Sequence, residues 1–169
     1  YIMLGTCCRS GEIAKARWVD IDFERKEWVI PASHSKNGRV HRIYLSEFCL
    51  DRFKELYEYR ISDWVLESDG NCLGKFAIAQ QLARRQSERN GKLSLPGGRW
   101  TAHDLRRTGA TLLCELGVLP GVIEKMLNHT EANQLRRVYQ RHEYVAEQRS
   151  AWDLLGKRCG EIFTDIEVL

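Results

Sequence analysis

The spacing of apolar residues changes from a helical to a strand-like pattern within the first 45 residues. The opening residues predict the end of an apolar helix, and Ser10 is placed to cap a second helix that runs to about Trp18. Apolar and polar residues then alternate in three short segments rich in β-branched and aromatic side chains, at 19–23, 27–30 and 40–45. This pattern predicts a small three-stranded antiparallel sheet.

The connection between the last two strands carries a turn signal. Asn37 and Gly38 lie between the two strand patterns, and this dipeptide favours the tight turn of an antiparallel hairpin. Lys36 is therefore expected near the hairpin tip, where a lysine is ordinarily a soluble surface residue. A tip also gives a side chain reach and mobility, which a functional lysine would need.

From residue 46 onward, apolar residues recur at helical spacing. We expect a helix capped by Ser46, followed by helices near 76–85, 101–116, 120–127 and 133–155. Between and after them lie a short apolar run of uncertain type at 64–66, a loop at 67–75 and a loosely defined tail at 156–169. The predicted fold class is α+β, mainly α-helical, with the small three-stranded antiparallel sheet.

Composition narrows the class of protein. With 169 residues, 43% of them hydrophobic and 29% charged, the chain suits one globular domain with a sizeable core. No apolar run approaches the ~18 residues of a membrane span. The six cysteines form no Cys-x-x-Cys pair and no zinc-like spacing with the five histidines. We therefore expect free thiols, no metal site and a reducing compartment such as the cytoplasm.

Charge is distributed unevenly along the chain. The net charge of +3 is only mildly basic, but residues 84–107 hold seven Lys and Arg against two acidic residues, an excess of five. The residues after Cys159 carry three acids and no base. A basic middle fits a polyanionic partner, although a solvated charged face would have the same composition.

A short stretch after the basic loop combines helix-start signals with two residues suited to phosphate. Thr101 can cap the first turn, and Asp104 completes an acidic version of the capping box. His103 and Arg106 are three residues apart, so they share one helical face. The stretch fits either a capped surface helix or two side chains that point together at a phosphate.

Arg9 lies immediately before the predicted second helix. Free N–H groups and the helix dipole at such an N-terminus favour an anion. Taken alone, an arginine in this position is more often a surface residue. Its importance therefore depends on the rest of the chain.

Five segments, taken in order, resemble the tyrosine recombinase family, the phage-type integrases. They are Thr-Cys-Cys-Arg-Ser-Gly-Glu-Ile at 6–13, Ser-Lys-Asn-Gly-Arg-Val-His at 35–41, His-Asp-Leu-Arg-Arg-Thr at 103–108, Met-Leu-Asn-His at 126–129 and Val-Tyr-Gln-Arg at 138–141. The last two look most like integrases of prophages and genomic islands. The resemblance implies the tyrosine recombinase catalytic fold, with residues 1–169 as a C-terminal catalytic domain that follows an N-terminal DNA-binding domain.

The resemblance implies a phosphate clamp. Arg9 and Arg106 would hold the non-bridging oxygens, because a guanidinium stays charged and can bind two oxygens at once. His103 and His129 would donate further hydrogen bonds, and one of them would take the nucleophile's proton. Fixed cations then replace a metal ion, so neither metal nor cofactor is expected.

The same resemblance implies the two groups that make and break bonds. Tyr139 would be the nucleophile, and the mobile Lys36 would protonate the leaving 5′ oxygen as general acid. Tyr144 is the rival nucleophile, but Tyr139 lies inside the Val-Tyr-Gln-Arg segment. Without DNA, we expect Tyr139 to sit away from the face that carries His103 and Arg106.

Other polar residues receive supporting roles. Glu12 is assigned to holding the Arg9 turn, and surface or packing roles are preferred for His34 and His41. Arg107 resembles a second phosphate ligand, but the family pattern gives the catalytic place to Arg106. Three residues are candidate DNA contacts: Arg39, Arg99 and Arg107.

The implied function is site-specific DNA recombination, integration or excision, through a covalent 3′-phosphotyrosine. The implied partner is double-stranded DNA at attachment sites in the bacterial cytoplasm, with a homotetramer for the full-length enzyme and no membrane. Three alternatives remain open: a type IB topoisomerase-like enzyme, a non-catalytic DNA-binding module on the helix pair at 103–127, and a metal-dependent nuclease.

Overall fold

The computed structural model describes residues 1–87, 93–130 and 142–167. The helices in these ranges are α1 (Ile2–Thr6), α2 (Ser10–Ala14), α3 (Glu47–Glu58), α4 (Ala77–Ser87), α5 (Ala102–Glu115), α6 (Pro120–Met126) and α7 (Val145–Glu167). The strands are β1 (Ile21–Asp22), β2 (Glu27–Ile30), β3 (His41–Tyr44), β4 (Glu67–Ser68) and β5 (Asn71–Cys72).

The first three strands form the predicted sheet. They pair antiparallel in the order β1-β2-β3, and Trp28 of β2 lies opposite Ile43 of β3. Both side chains are fully buried. The Trp28 ring packs edge-on against the Phe53 ring of α3, with 5.7 Å between the ring centroids. The α+β prediction is confirmed: the fold is mainly helical with one three-stranded antiparallel sheet.

Helix α7 is the element around which the core is built. It packs against α1, α3, α5, α6 and β3. Its buried face carries Trp152, Leu155 and Cys159, spaced three or four residues apart on one side of the helix. Each large side chain buried in this way stabilises the fold by about 1.5–3 kcal/mol.

The prediction for the C-terminal region was wrong in two respects. Residues 142–144, inside the predicted helix, are not helical, and the predicted tail after residue 156 is helical to Glu167. Residues 131–141, where the predicted helix was to begin, lie outside the described ranges. At Gly156, where the tail was predicted to begin, a Cβ would lie 2.4 Å from the Cβ of Ser46. Glycine is therefore needed for close packing of α7 on the start of α3.

Two local predictions in the first third also need correction. Helix α2 ends at Ala14 instead of Trp18 and is capped by Arg9, not Ser10. The chain leaves the helix because Ala16 O accepts a hydrogen bond from Val65 N at 2.9 Å. Trp18 then opens a 3-10 turn, which shortens the first strand to two residues. Tertiary pairing with the 64–66 run therefore overrides the helical pattern.

The loop predicted at 67–75 contains a small hairpin. Strands β4 and β5 pair antiparallel around Asp69 and Gly70, which both have positive φ. The two-residue turn is of the kind that Asp-Gly favours. Each strand is only two residues long, too short for an alternating pattern to show in the sequence.

The six cysteines are free thiols, as predicted, and four of them are buried. Burial raises the pKa of Cys8 and Cys49 to about 12, so both stay protonated at neutral pH. None of the helices in the described part of the chain is long and apolar enough to cross a membrane.

Close contact between α1 and α5 yields a stability prediction. A Cβ at Gly109 would lie 2.4 Å from Cys7 Sγ and 2.9 Å from the backbone oxygen of Leu4. Gly109→Ala is expected to lower the free energy of unfolding by about 1–3 kcal/mol, because backbone cannot move aside cheaply. The matched control is Gly121→Ala in α6, where a Cβ meets nothing within 4 Å. Chemical denaturation measures both; an unchanged midpoint for Gly109→Ala would contradict the packing.

Candidate active site

Side chains from three distant parts of the chain bind the C-terminal end of α6, here called the α6 terminus. His41 Nε2 bonds to Met126 O at 2.9 Å, Arg106 Nη2 donates to Leu127 O at 2.5 Å, and Arg9 Nη2 donates to Asn128 O at 3.5 Å. These consecutive carbonyls lie where a helix lacks internal partners and carries the negative end of its dipole. The α6 terminus therefore binds two arginines that would otherwise repel each other.

Arg106 is the most enclosed of these cations. Only 4% of the residue is exposed, and its second amino group donates to Cys7 O at 2.6 Å. Cys7 ends α1 with a left-handed φ of 49°, which presents this carbonyl. Burial and the neighbouring Arg9 charge lower the pKa of Arg106, but a guanidinium remains charged at neutral pH. Two carbonyls thus fix the orientation of a permanent cation.

Glu12 holds Arg9 in place, as predicted. Its carboxylate is 1% exposed and accepts hydrogen bonds from Arg9 N at 2.8 Å and from Arg9 Nη1 at 2.9 Å. The bond to the backbone satisfies an N–H at the start of α2, and the bond to the guanidinium fixes its direction. The Arg9 side chain is about one-fifth exposed, so it is anchored by Glu12 and still accessible to a ligand.

His41 packs beneath the two arginines. It is 3% exposed, and its Nδ1 lies 4.0 Å from Glu12 Oε2. Burial, together with the charges of Arg106 and Arg9, lowers its pKa to about 4, so the ring is neutral at pH 7. The preferred packing role for His41 is therefore confirmed, and its neutral ring avoids a third positive charge.

The lowered pKa of His41 predicts acid sensitivity. Between pH 6.5 and 4 the unfolded histidine binds a proton that the folded one does not, so the free energy of unfolding falls as pH falls. This group alone accounts for about 3 kcal/mol over that range. Denaturation series at several pH values should show the loss, and His41→Gln should remove most of it. A slope that His41→Gln leaves intact would contradict the assignment.

The start of α5 matches its prediction. Thr101 is the N-cap, and both its N–H and its hydroxyl donate to Asp104 Oδ2, at 2.9 and 2.8 Å. These bonds lower the pKa of Asp104. His103 is exposed on the first turn, three residues before the buried Arg106. Helix α5 thus carries one predicted site residue at the surface and one in the interior.

His129 follows the α6 terminus. Its side chain is 42% exposed, and Nδ1 bonds to Glu124 Oε2 at 2.8 Å. A carboxylate on Nδ1 favours the tautomer with hydrogen on that nitrogen, so Nε2 is the nitrogen available to a ligand. Glu124 lies five residues earlier, on α6, so the orientation of His129 is set by a residue close to it in sequence.

Lys36 lies in the antiparallel connection between β2 and β3, as predicted, but not beside a tight two-residue turn. The chain between β2 and β3 is a ten-residue loop, and Gly38, with φ of 68°, supplies only one of its turns. An earlier turn forms where His34 N and Ser35 N donate to Pro31 O. Local turn bonds within the loop replace the two-residue hairpin that Asn-Gly favours. Lys36 is exposed, as expected, and its neighbour Asn37 bonds to Asn128.

The sequence matches the phage integrase family over residues 1–145. The chain belongs to this family. It is 34% identical over 147 residues to the prophage integrase IntA of Escherichia coli K12, an alignment that covers 85% of this chain and 34% of that protein. The chain therefore spans about a third of this curated relative.

Solved structures share the fold of this integrase-family chain. An integrase of the Tn1549 transposon, in complex with circular intermediate DNA, matches with a TM-score of 0.62 and 18% identity over 88% of this chain and 56% of that one. XerA recombinase matches with a TM-score of 0.61 and 20% identity, over 83% of this chain and 55% of that one. XerH recombinase matches with a TM-score of 0.60 and 22% identity, over 90% of this chain and 44% of that one. That structure is a post-cleavage complex with a palindromic substrate.

The integrase fold brings most of the predicted site residues to one place. Arg9 and Arg106 meet at the α6 terminus, His129 follows it, and the Lys36 loop is bonded to it. Tyr139 lies outside the described residues, so its predicted displacement has no counterpart here. Tyr144 directly precedes α7 and is half-buried against the core. Its ring packs against that of His142, with 4.7 Å between the ring centroids.

The candidate DNA contacts of the integrase chain are all exposed. Arg39 lines a cleft of about 640 Å³ beside the α6 terminus, together with His129 and Lys125. Arg107 is 73% exposed and pairs with Asp104, and Arg99 lies in the loop before α5. In the described ranges, no group of three or more His, Cys, Asp or Glu side chains could hold a metal ion.

Two asparagines at this site were not predicted from the sequence. Asn37 contributed only a turn signal, and Asn128 only a family motif. Asn128 adopts a left-handed φ of 48° after α6, a position that asparagine tolerates. An asparagine directly after a helical pattern could have indicated this turn, but its bonding to residue 37 depends on the tertiary fold.

Proposed function

We propose that the chain is the catalytic part of a site-specific recombinase that breaks and rejoins DNA through a covalent 3′-phosphotyrosine. The observation that carries this proposal is the pair Arg9 and Arg106, fixed at the α6 terminus within a phage integrase fold. Two rigid cations beside exposed His129 suit a phosphodiester whose charge increases during attack.

The proposed reaction needs four groups. The Tyr139 oxygen attacks phosphorus, the bond to the 5′ oxygen breaks, and a 3′-phosphotyrosine forms. Arg9 and Arg106 take the charge of the non-bridging oxygens, because both are already oriented before DNA binds. Lys36 gives its proton to the departing 5′ oxygen, which leaves as a hydroxyl. Attack by a 5′ hydroxyl on the phosphotyrosine then reverses these steps and rejoins a strand.

His103 and His129 complete the proposed site. Both side chains are exposed, so either one can take the phenol proton of Tyr139, and the protonated ring can then donate a hydrogen bond to the phosphate. The hydrogen bond that His129 Nδ1 donates to Glu124 favours His129 as the proton acceptor, because it leaves Nε2 without a hydrogen and available to the phenol. His103 reaches the phosphate from the first turn of α5, the helix that also carries Arg106.

Double-stranded DNA at an attachment site is the proposed substrate. The solved neighbours from Tn1549 and XerH contain DNA, and the exposed arginines at positions 39, 99 and 107 supply positive charge for a phosphate backbone. A homotetramer assembled on two sites is proposed for the full-length protein, with residues 1–169 as its catalytic domain.

A nicked duplex that carries the attachment site tests the proposal. The site is first located by sequencing the junctions where the element inserts. In the presence of EDTA, the full-length protein should become covalently linked to the 3′ end at one position and release a 5′ hydroxyl.

Other outcomes would select other functions. Cleavage without site preference, together with plasmid relaxation, would indicate a topoisomerase-like enzyme. DNA binding that never gives an adduct would indicate a binding module, and cleavage that EDTA abolishes would indicate a metal-dependent nuclease.

A further inference from the structure

Asn37 joins the Lys36 loop to the α6 terminus through its side-chain amide. Asn37 Nδ2 donates to Asn128 O at 2.8 Å and lies 3.1 Å from Asn128 Oδ1. On its other side, Asn37 Oδ1 accepts from Ser35 Oγ at 2.9 Å and from Arg39 N at 3.1 Å. One amide thus binds its own loop through oxygen and a distant helix end through nitrogen.

Asn128 completes a closed set of bonds. Its Nδ2 donates to Ser35 Oγ at 3.2 Å and lies 3.4 Å from Asn37 Oδ1. Its backbone oxygen, which Asn37 binds, also accepts from Arg9 Nη2. The loop is therefore fixed to the same carbonyl that orients one arginine of the proposed clamp.

Lys36 lies between the two loop residues that make these bonds. Its own side chain is exposed, whereas Ser35 is buried and Asn37 half-buried. The backbone on both sides of Lys36 is held, so the ammonium moves only as far as its four-carbon stem allows. A general acid in this position needs such restriction, because a proton is transferred only over hydrogen-bond distance.

We propose that Asn37 is a positioning residue that acts through Lys36 by fixing its loop to the α6 terminus. This inference rests on the proposed function, in which Lys36 protonates the leaving 5′ oxygen. Both halves of the amide are required: Asn37→Ala removes every bond that the Asn37 side chain makes and leaves only the bond from Asn128 to Ser35, and Asn37→Asp replaces the donor by an anion that faces two oxygens of Asn128.

A sulfur-substituted substrate separates positioning from general structure. In a nicked duplex whose leaving 5′ oxygen is replaced by sulfur, the departing thiolate is stable without a proton, because a thiol is far more acidic than an alcohol. Loss of the general acid therefore slows cleavage of the oxygen substrate and not of the sulfur substrate. A defect in the arginine clamp or in folding slows both.

The measurement is the single-turnover rate of adduct formation by the full-length protein on both substrates. Lys36→Ala should be about 10²-fold slow or worse on oxygen and near wild type on sulfur. Asn37→Ala should be about 10- to 100-fold slow on oxygen and be restored on sulfur in the same way. Ser33→Ala, an exposed change in the same loop, is the control and should keep both rates.

Three results would overturn the inference. Asn37→Ala could keep the wild-type rate on oxygen, it could be equally slow on both substrates, or Lys36→Ala could fail to recover on sulfur. If the wild-type protein forms no adduct with either substrate, the proposed function itself fails.

Discussion

Replacing Arg106 with alanine is expected to slow formation of the covalent DNA adduct by about 10²- to 10³-fold at saturating DNA. The guanidinium is already fixed by the carbonyls of Cys7 and Leu127, so it meets the developing charge without reorganisation. Single-turnover cleavage of the nicked duplex measures the effect directly.

Two variants control for folding and for charge. Arg106→Ala leaves two carbonyls without their donor, at a cost of about 1–3 kcal/mol each, so its folded fraction must be measured alongside the rate. Arg106→Lys keeps a cation and should fold, yet it lacks the planar fork and should remain well below the wild-type rate. Arg158→Ala removes an exposed arginine on α7 that pairs with Glu161 away from the site, and it should keep the rate. Wild-type cleavage by both Arg106 variants would contradict the clamp.

Glu12→Ala is expected to lower the free energy of unfolding by about 3–5 kcal/mol. Removing the carboxylate leaves Arg9 without its buried partner and the start of α2 without an acceptor. His41 also loses the nearest anion. Chemical denaturation at pH 7 measures the change.

The contribution of burial to this stability effect can be measured by comparison with an exposed glutamate. Glu47 pairs with Lys26 at the surface, so Glu47→Ala should change stability far less than Glu12→Ala. Glu12→Gln keeps an oxygen for the backbone N–H of Arg9 and should fall between wild type and Glu12→Ala. Equal effects at positions 12 and 47 would show that the buried pair does not hold the turn.

The sequence predicts features that depend on neighbouring residues. The capping box of α5 and the strand at 27–30 were both predicted, because caps and alternation are local signals. The candidate site residues were found through the order of five motifs. Single residues such as Arg9 carried little information on their own.

What the sequence does not show depends on contacts between distant parts of the chain. Arg106 was expected on a shared face with His103, but it turns inward to a carbonyl 99 residues earlier. Asn37 meets Asn128 across 91 residues. The last helix was predicted to end before Gly156, whereas this glycine allows α7 to pack against Ser46. Local patterns cannot encode which backbone oxygens a folded chain leaves available.

In the proposed reaction, Tyr139 attacks a phosphodiester held at the α6 terminus. The most direct measurement is to digest the trapped covalent complex with protease and identify, by mass spectrometry, the residue that carries the nucleotide. We predict a 3′-phosphonucleotide on Tyr139, formed by the wild type and by Tyr144→Phe and absent in Tyr139→Phe. A nucleotide on Tyr144, or an adduct that persists in Tyr139→Phe, would contradict the account.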